Sequence, residues 1–235
     1  MARAVVAREG QVAGGEDVPA GTLRRSGAAV VTAAPVPTAY RLVVPEGWWS
    51  VDLEPSRTDA SVAALVDRQW RGVDDAPHLK AEARQQLREQ AVQARAAGGV
   101  ALYLSVGLLD GVPLPASLLV ALLPLADPAE LPGLVQHRVA AGVEVAPVRL
   151  PAGDALRSRW REEPVPDDPS GNVLAMTCLD LHVPVPGARH VLLLAFRTPM
   201  EPLADALVEL FDSVATTLSF SSDHERTPSG PPGNG

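Results

Sequence analysis

Val191-Leu-Leu-Leu-Ala-Phe-Arg-Thr-Pro-Met-Glu-Pro-Leu-Ala-Asp-Ala-Leu-Val-Glu-Leu-Phe-Asp-Ser-Val-Ala-Thr-Thr-Leu-Ser-Phe220 decides the fold class. Val191 to Phe196 is an unbroken apolar run, the pattern of a strand covered on both faces. Thr198, Pro199 and Glu201 then read as a helix start: a capping hydroxyl, a proline at the first helical position, and a carboxylate placed for a capping box. Leu203, Leu207, Leu210, Phe211, Val214 and Leu218 recur at spacings of three and four, which is one helical face. A buried strand running into an amphipathic helix closes the chain.

Working outward, the next two strands lie just upstream. Val173 to Val183 is a strand, and Pro186-Gly187 is the turn that joins it to the closing block. Asp154 to Arg161 is another, preceded by Val143 to Leu150, which Pro147 interrupts. Pro164 to Asn172 is a proline- and aspartate-rich loop. Asp127-Pro128 opens a helix bearing Leu131, Leu134, Val135 and Arg138, closed by Gly142. Val100 to Leu109 and Val112 to Leu123 flank Asp110-Gly111, a strong hairpin signal. Pro113 and Pro115 put the start of the second of these strands at an edge or bulge.

Towards the N-terminus, Pro77 opens a polar helix with a thin seam of Leu79, Ala83, Leu87 and Ala91, ended at Gly98-Gly99. Glu82, Arg84, Arg88 and Glu89 read as its solvated face. Thr58 or Asp59 caps a helix carrying Val62, Leu65, Val66 and Trp70. Tyr40 to Val44 and Trp48 to Leu53 read as a hairpin about Pro45-Glu46-Gly47. Trp48 and Trp49, adjacent on a strand, point to opposite faces. Every strand-to-strand link is short, so the sheet is expected to be largely antiparallel and covered by helices. The fold class is α+β, a mostly antiparallel β-sheet packed with helices. Residues 39–220 are expected to form a single domain, with residues 1–38 as a disordered Gly/Ala/Pro-rich lead and 221–235 as a disordered tail.

Composition narrows the function. Hydrophobic residues make up 46% of the 235 and aromatic residues only 4%, so the core is expected to be mostly Leu, Val and Ala. The 20 basic residues include a single lysine, Lys80. That bias, with abundant Ala, Gly and Pro, suggests a GC-rich bacterial genome. A net charge of -8 argues against nucleic acid or an anionic membrane as partner. No apolar run reaches the ~20 residues that span a bilayer, and the N-terminus has no signal-peptide pattern, so a cytoplasmic location without membrane insertion is expected. The one cysteine, Cys178, lies in an apolar strand pattern and reads as a buried small hydrophobe rather than a nucleophile.

Two constellations bear on chemistry. Asp180 and His182 share a strand face, and a hairpin at Pro186-Gly187 brings His190 across from His182 in some registers. Two histidines and a carboxylate can bind a metal or work as acid and base; the plainer reading is a polar strand end in solvent. Arg157, Arg159 and Arg161 alternate, so their guanidinium groups share a face. They suit an acidic partner or a phosphate; the plainer reading is charge protecting an edge strand. Phosphate loops, nucleophile elbows, His-Glu-x-x-His and Cys-x-x-Cys are absent from the sequence.

Val44-Pro45-Glu46-Gly47-Trp48 near the start and Phe211-Asp212-Ser213-Val214-Ala215-Thr216-Thr217-Leu218 near the end, with this order of elements between them, resemble the PsbP-like fold. Similar end motifs occur in the LpqN-type lipoproteins of GC-rich bacteria, and the Ran-binding Mog protein shares the fold. The resemblance implies a non-catalytic protein-interaction or accessory module with no cofactor and an unidentified protein partner. It transfers no catalytic residue. Arg157, Arg159, Arg161, Trp48 and Trp49 are the expected partner-binding residues. A small metal-dependent or hydrolytic enzyme built on Asp180, His182 and His190 is the alternative. Sequence does not fix the oligomeric state.

Overall fold

The computed structural model describes residues 4–6, 10–11, 39–71, 76–109, 112–125, 131, 133, 139, 143–164 and 173–221. In chain order the strands are β1 (Ala4–Val6), β2 (Gly10–Gln11), β3 (Ala39–Arg41), β4 (Val43–Pro45), β5 (Trp48–Asp52), β6 (Gly99–Ser105), β7 (Leu108–Leu109), β8 (Val112–Pro113), β9 (Ser117–Pro124), β10 (Glu144–Leu150), β11 (Gly153–Glu162), β12 (Met176–Pro184), β13 (His190–Thr198) and β14 (Ser219–Ser221). Helices α1 (Pro55–Gln69) and α2 (Pro77–Ala96) follow β5, and α3 (Ala204–Ala215) follows β13. Seven strands form one antiparallel sheet in the order β10-β11-β12-β13-β9-β6-β5. The fold class is α+β, with the closing strand β13 near the middle of the sheet.

Alternation along the strands splits the core in two. Leu179, Leu181 and Val183 of β12, Leu192, Leu194 and Phe196 of β13, and Leu118 and Val120 of β9 share one face. They pack against Leu207, Val208, Phe211 and Val214 of α3, which are all buried. On the opposite face, Val51 and Leu102 pack with Val62, Leu65 and Val66 of α1 and Ala91 of α2. The seam expected on α2 is thinner still: Leu79 is 43% exposed, and Ala83 and Leu87 are half-buried. The polar face of α2 does more than meet water. Arg84 and Lys80 both reach Asp67 of α1 at 2.6 Å, and Arg88 reaches Asp59 at 2.8 Å.

Several expectations are corrected. Tyr40–Val44 and Trp48–Leu53 do not pair as a hairpin. Gly47, at φ +88°, turns the chain so that β5 joins β6, while β3 lies in a small sheet ordered β14-β3-β2 and β4 pairs with β1 in another. The first helix begins at Pro55, before Thr58 and Asp59, and its N-cap Glu54 makes no side-chain cap. The capping box at Thr198 and Glu201 is not formed. Thr198 continues β13 and donates its hydroxyl to the Pro115 carbonyl, and a 3-10 turn at Glu201–Leu203 precedes α3. Pro199 and Pro202 supply no N–H and disfavour helix in the residue before each, which delays the helix. Gly99, beyond ending α2, lets β6 lie close to it. A Cβ there would stand 2.5 Å from the Ala94 carbonyl oxygen.

Leu131, Gly133 and Val139 are helical, as read from Asp127-Pro128, and Leu131 packs with Leu125 and Val191. The other residues of that expected helix, the expected turn at Asp110-Gly111 and residues 165–172 of the expected loop lie outside the described residues, as do 222–235. Within the stretch expected to be a disordered lead, Ala4–Val6 and Gly10–Gln11 are strands, paired to β4 and β3. Their order comes from backbone pairing to residues 39–45, a source that leaves no period in their own sequence.

Candidate functional site

The arginine stripe lies on the α3 side of the sheet, on β11 between β10 and β12, so it protects no edge. Each guanidinium meets the chain's own acids. Arg157 donates to Asp212 of α3 through Nε (2.9 Å) and Nη2 (3.0 Å), a bidentate pair. Arg159 reaches Asp205 at 2.5 Å. Arg161 binds Glu163 at 2.7 Å and also Glu201, just before α3. The hydrogen bond from Arg161 holds the Glu201 carboxyl below its ordinary range, and the Asp212 carboxylate pushes Arg157 up. A group lowered in this way adds stability above its unfolded pKa and loses it as pH falls through the folded value, so acid loosens the Glu201 rung. Of the three, only Arg157 is largely buried, at 15% side-chain exposure. Arg157→Ala is expected to lower stability by about 1–2 kcal/mol, while Arg161→Ala changes the urea midpoint immeasurably. Equal effects at both positions would refute the ranking.

Asp180, His182 and His190 are not brought together. Asp180 and His182 face away from α3, where His182 stands opposite Leu193. His190 lies on the α3 side with Leu192 and pairs with Pro124. The expected solvent-facing strand end is also corrected: Asp180 and His182 are both buried. Asp180 accepts a 2.7 Å bond from Arg197 Nη1, and the Arg197 guanidinium lies 4.8 Å from the Trp160 ring centroid. Sequence reading missed Arg197 and Trp160. An arginine inside the Val191–Thr198 apolar strand, two positions diagonal from Asp180, was the signal that could have found them. No group of three metal-ligating side chains is found among the described residues. Cys178 is buried on the same face, its thiol donating to Glu162 at 3.6 Å, and burial pushes the thiol up to about 12, so it stays protonated.

The two tryptophans of β5 do point to opposite faces. Trp48 packs edge-on against Phe211, ring centroids 6.3 Å apart at 88°. Trp49 lies on the α1 side, half-buried, with the exposed Arg68 guanidinium 5.1 Å from its ring centroid. Half-buried Trp70, Leu104 and Val106 adjoin the same cluster. β5 and β10 are the outer strands of the sheet, and both are blunted against strand addition. On β5, the Ser61 hydroxyl donates to the Ser50 carbonyl and accepts from the Asp52 N–H. On β10, Pro147 sits mid-strand in an unbroken ladder with β11, so its missing N–H falls on the outer side.

No protein-family model and no curated protein matches the chain. Among solved structures it is similar to the Ran-binding protein Mog1p of Saccharomyces cerevisiae, at 11% identity and a TM-score of 0.43, over 79% of this chain and 92% of that one. It is also similar to the cyanobacterial PsbP (CyanoP) of Synechocystis, at 11% identity and a TM-score of 0.38, over 83% of this chain and 98% of that one. No helix among the described residues is long and apolar enough to cross a membrane.

Proposed function

We propose that the chain is a non-catalytic protein-interaction or accessory module acting in the cytoplasm of a GC-rich bacterium. The observation that carries the proposal is the Trp49–Arg68 pair at the margin of the sheet. Tryptophan and arginine are the residue types that concentrate binding energy at protein interfaces. Here a guanidinium is exposed over a half-buried indole, with Trp70, Leu104 and Val106 beside it. The partner binds this surface through side chains, because the outer edges of the main sheet are closed to an added strand. The arginine stripe is engaged with α3, which makes Arg157, Arg159 and Arg161 secondary to Trp49 as contacts. The enzyme alternative requires Asp180, His182 and His190 around one point, and they occupy two faces of the sheet.

Affinity capture from extracts of the native cell tests the reading. The wild-type chain is expected to retain a protein that Arg68→Glu loses, while Arg149→Glu, at the far edge of the sheet, retains it. Arg68 is exposed, so the substitution leaves the fold intact. Equal capture by wild type and Arg68→Glu would remove this surface from consideration.

A further inference from the structure

Helix α1 sorts its charges by side. Asp59 and Asp67 face α2, where Arg88, Lys80 and Arg84 meet them. Arg57, Ser61 and Arg68 recur at spacings of four and seven, which is one strip of the helix. The Ser61 contacts with Ser50 and Asp52 lay that strip along β5. Asp52 is already engaged there, by Arg57 at 3.3 Å and by the Glu54 N–H at 3.0 Å. At the other end of the strip Arg68 lies over Trp49, and Arg71 follows three residues on, exposed. Among the described residues neither Arg68 nor Arg71 forms an ion pair, although Glu46 stands exposed in the turn before β5. Acids are not in short supply: the chain has 28 against 20 bases, and all three arginines of β11 find one.

The dipole of a helix C-terminus favours a positive charge here. It does not call for an indole under that charge, nor for the half-buried Trp70, Leu104 and Val106 around it. Two guanidinium forks at the rim of an apolar floor are complementary to carboxylates that flank an apolar side chain. The net charge of -8 sets nucleic acid aside as the source of the anion. We infer that the surface of Trp49, Arg68 and Arg71 is a docking site for an acidic segment of a partner protein, in which glutamate or aspartate flanks an apolar residue. The apolar residue packs on Trp49 and Leu104, and the carboxylates take the two forks that the chain's own acids leave open. The aromatic floor supplies contact area, and the arginines supply the choice of partner. The inference rests on the interaction-module reading and names the chemistry of its partner.

The test titrates the isotope-labelled full chain with a short synthetic peptide that carries one leucine among glutamates, and with its counterpart in which glutamine replaces every glutamate. The Trp49 indole N–H and the Arg68 side-chain signals report occupancy. The glutamate peptide is expected to shift both, and the glutamine peptide to bind at least about tenfold more weakly. Added salt should weaken the glutamate peptide. Arg68→Gln and Arg71→Gln, both at exposed positions, should each weaken it by about threefold to tenfold, while Arg149→Gln at the far edge leaves it unchanged. The inference is overturned if the two peptides bind alike, if neither arginine substitution changes the affinity, or if the glutamate peptide shifts neither signal at about millimolar concentration. None of these outcomes touches the Arg68→Glu capture result. A protein captured through Arg68 without a preference for acid would keep the interaction reading and remove only the acidic partner.

Discussion

Phe211→Ala should destabilise the domain by about 3–5 kcal/mol, the cost of a buried ring and the cavity it leaves. Phe211 is fully buried, stacked on Phe196 with centroids 4.7 Å apart and planes at 15°, and it receives the edge of Trp48. One truncation therefore loosens α3, β13 and β5 together. Against a total of about 5–15 kcal/mol for a domain, the loss is large. Glu209 is on the exposed side of the same helix, and Glu209→Ala should change stability by under about 0.5 kcal/mol. Urea denaturation of both variants checks the pair. A Phe211→Ala midpoint near that of wild type would mean that α3 is not held through this face.

The second large effect is expected at Arg197. Its partner Asp180 has a side chain only 1% exposed, whereas Arg197 itself is 26% exposed. Arg197→Met strips the guanidinium from a buried carboxylate and should cost about 3–5 kcal/mol. Asp180→Leu in the same chain should restore most of that, to within about 1–2 kcal/mol of wild type, because an apolar pair in place of a buried ion pair is often neutral. A double-mutant cycle by chemical denaturation measures the difference. If Arg197→Met alone is neutral, the Asp180–Arg197 contact does not support the sheet.

The asymmetry between what could and could not be read in the sequence has physical causes. The α+β class, the antiparallel order and the buried face of α3 follow from local periodicity, and Leu207, Phe211 and Val214 show it plainly. The opposite faces of Trp48 and Trp49 needed only the two-residue period of a strand. By contrast, Asp212, Asp205 and Glu201, which Arg157, Arg159 and Arg161 meet at α3 and its entry, lie 55, 46 and 40 positions along the chain, and only Arg161 also has a near partner, Glu163. No local pattern distinguishes a solvated arginine from one that meets a helix far downstream. The Asp180, His182 and His190 grouping depended on register, which periodicity leaves open. The missing hairpin at Gly47 had correct turn chemistry, and β5 took β6 instead, a choice made by distant strands. The capping box failed for a local reason, two prolines three residues apart, that outweighed a correct cap motif.

The place of β13 between β12 and β9 has a further meaning when the chain is considered as it is made, from its first residue to its last. Before His190–Thr198 leave the ribosome, the strands of the sheet fall into two groups, β5-β6-β9 and β10-β11-β12, with no strand paired to both. The inner borders of both groups, β9 and β12, are then unpaired strands rich in leucine and valine, the kind of surface that seeks other chains. One late strand seals both borders at once, and α3 follows directly to cover the seam. A nascent or prematurely ended chain is therefore exposed at two sites until its last quarter emerges, and a chaperone or slowed translation would matter most just before that strand appears.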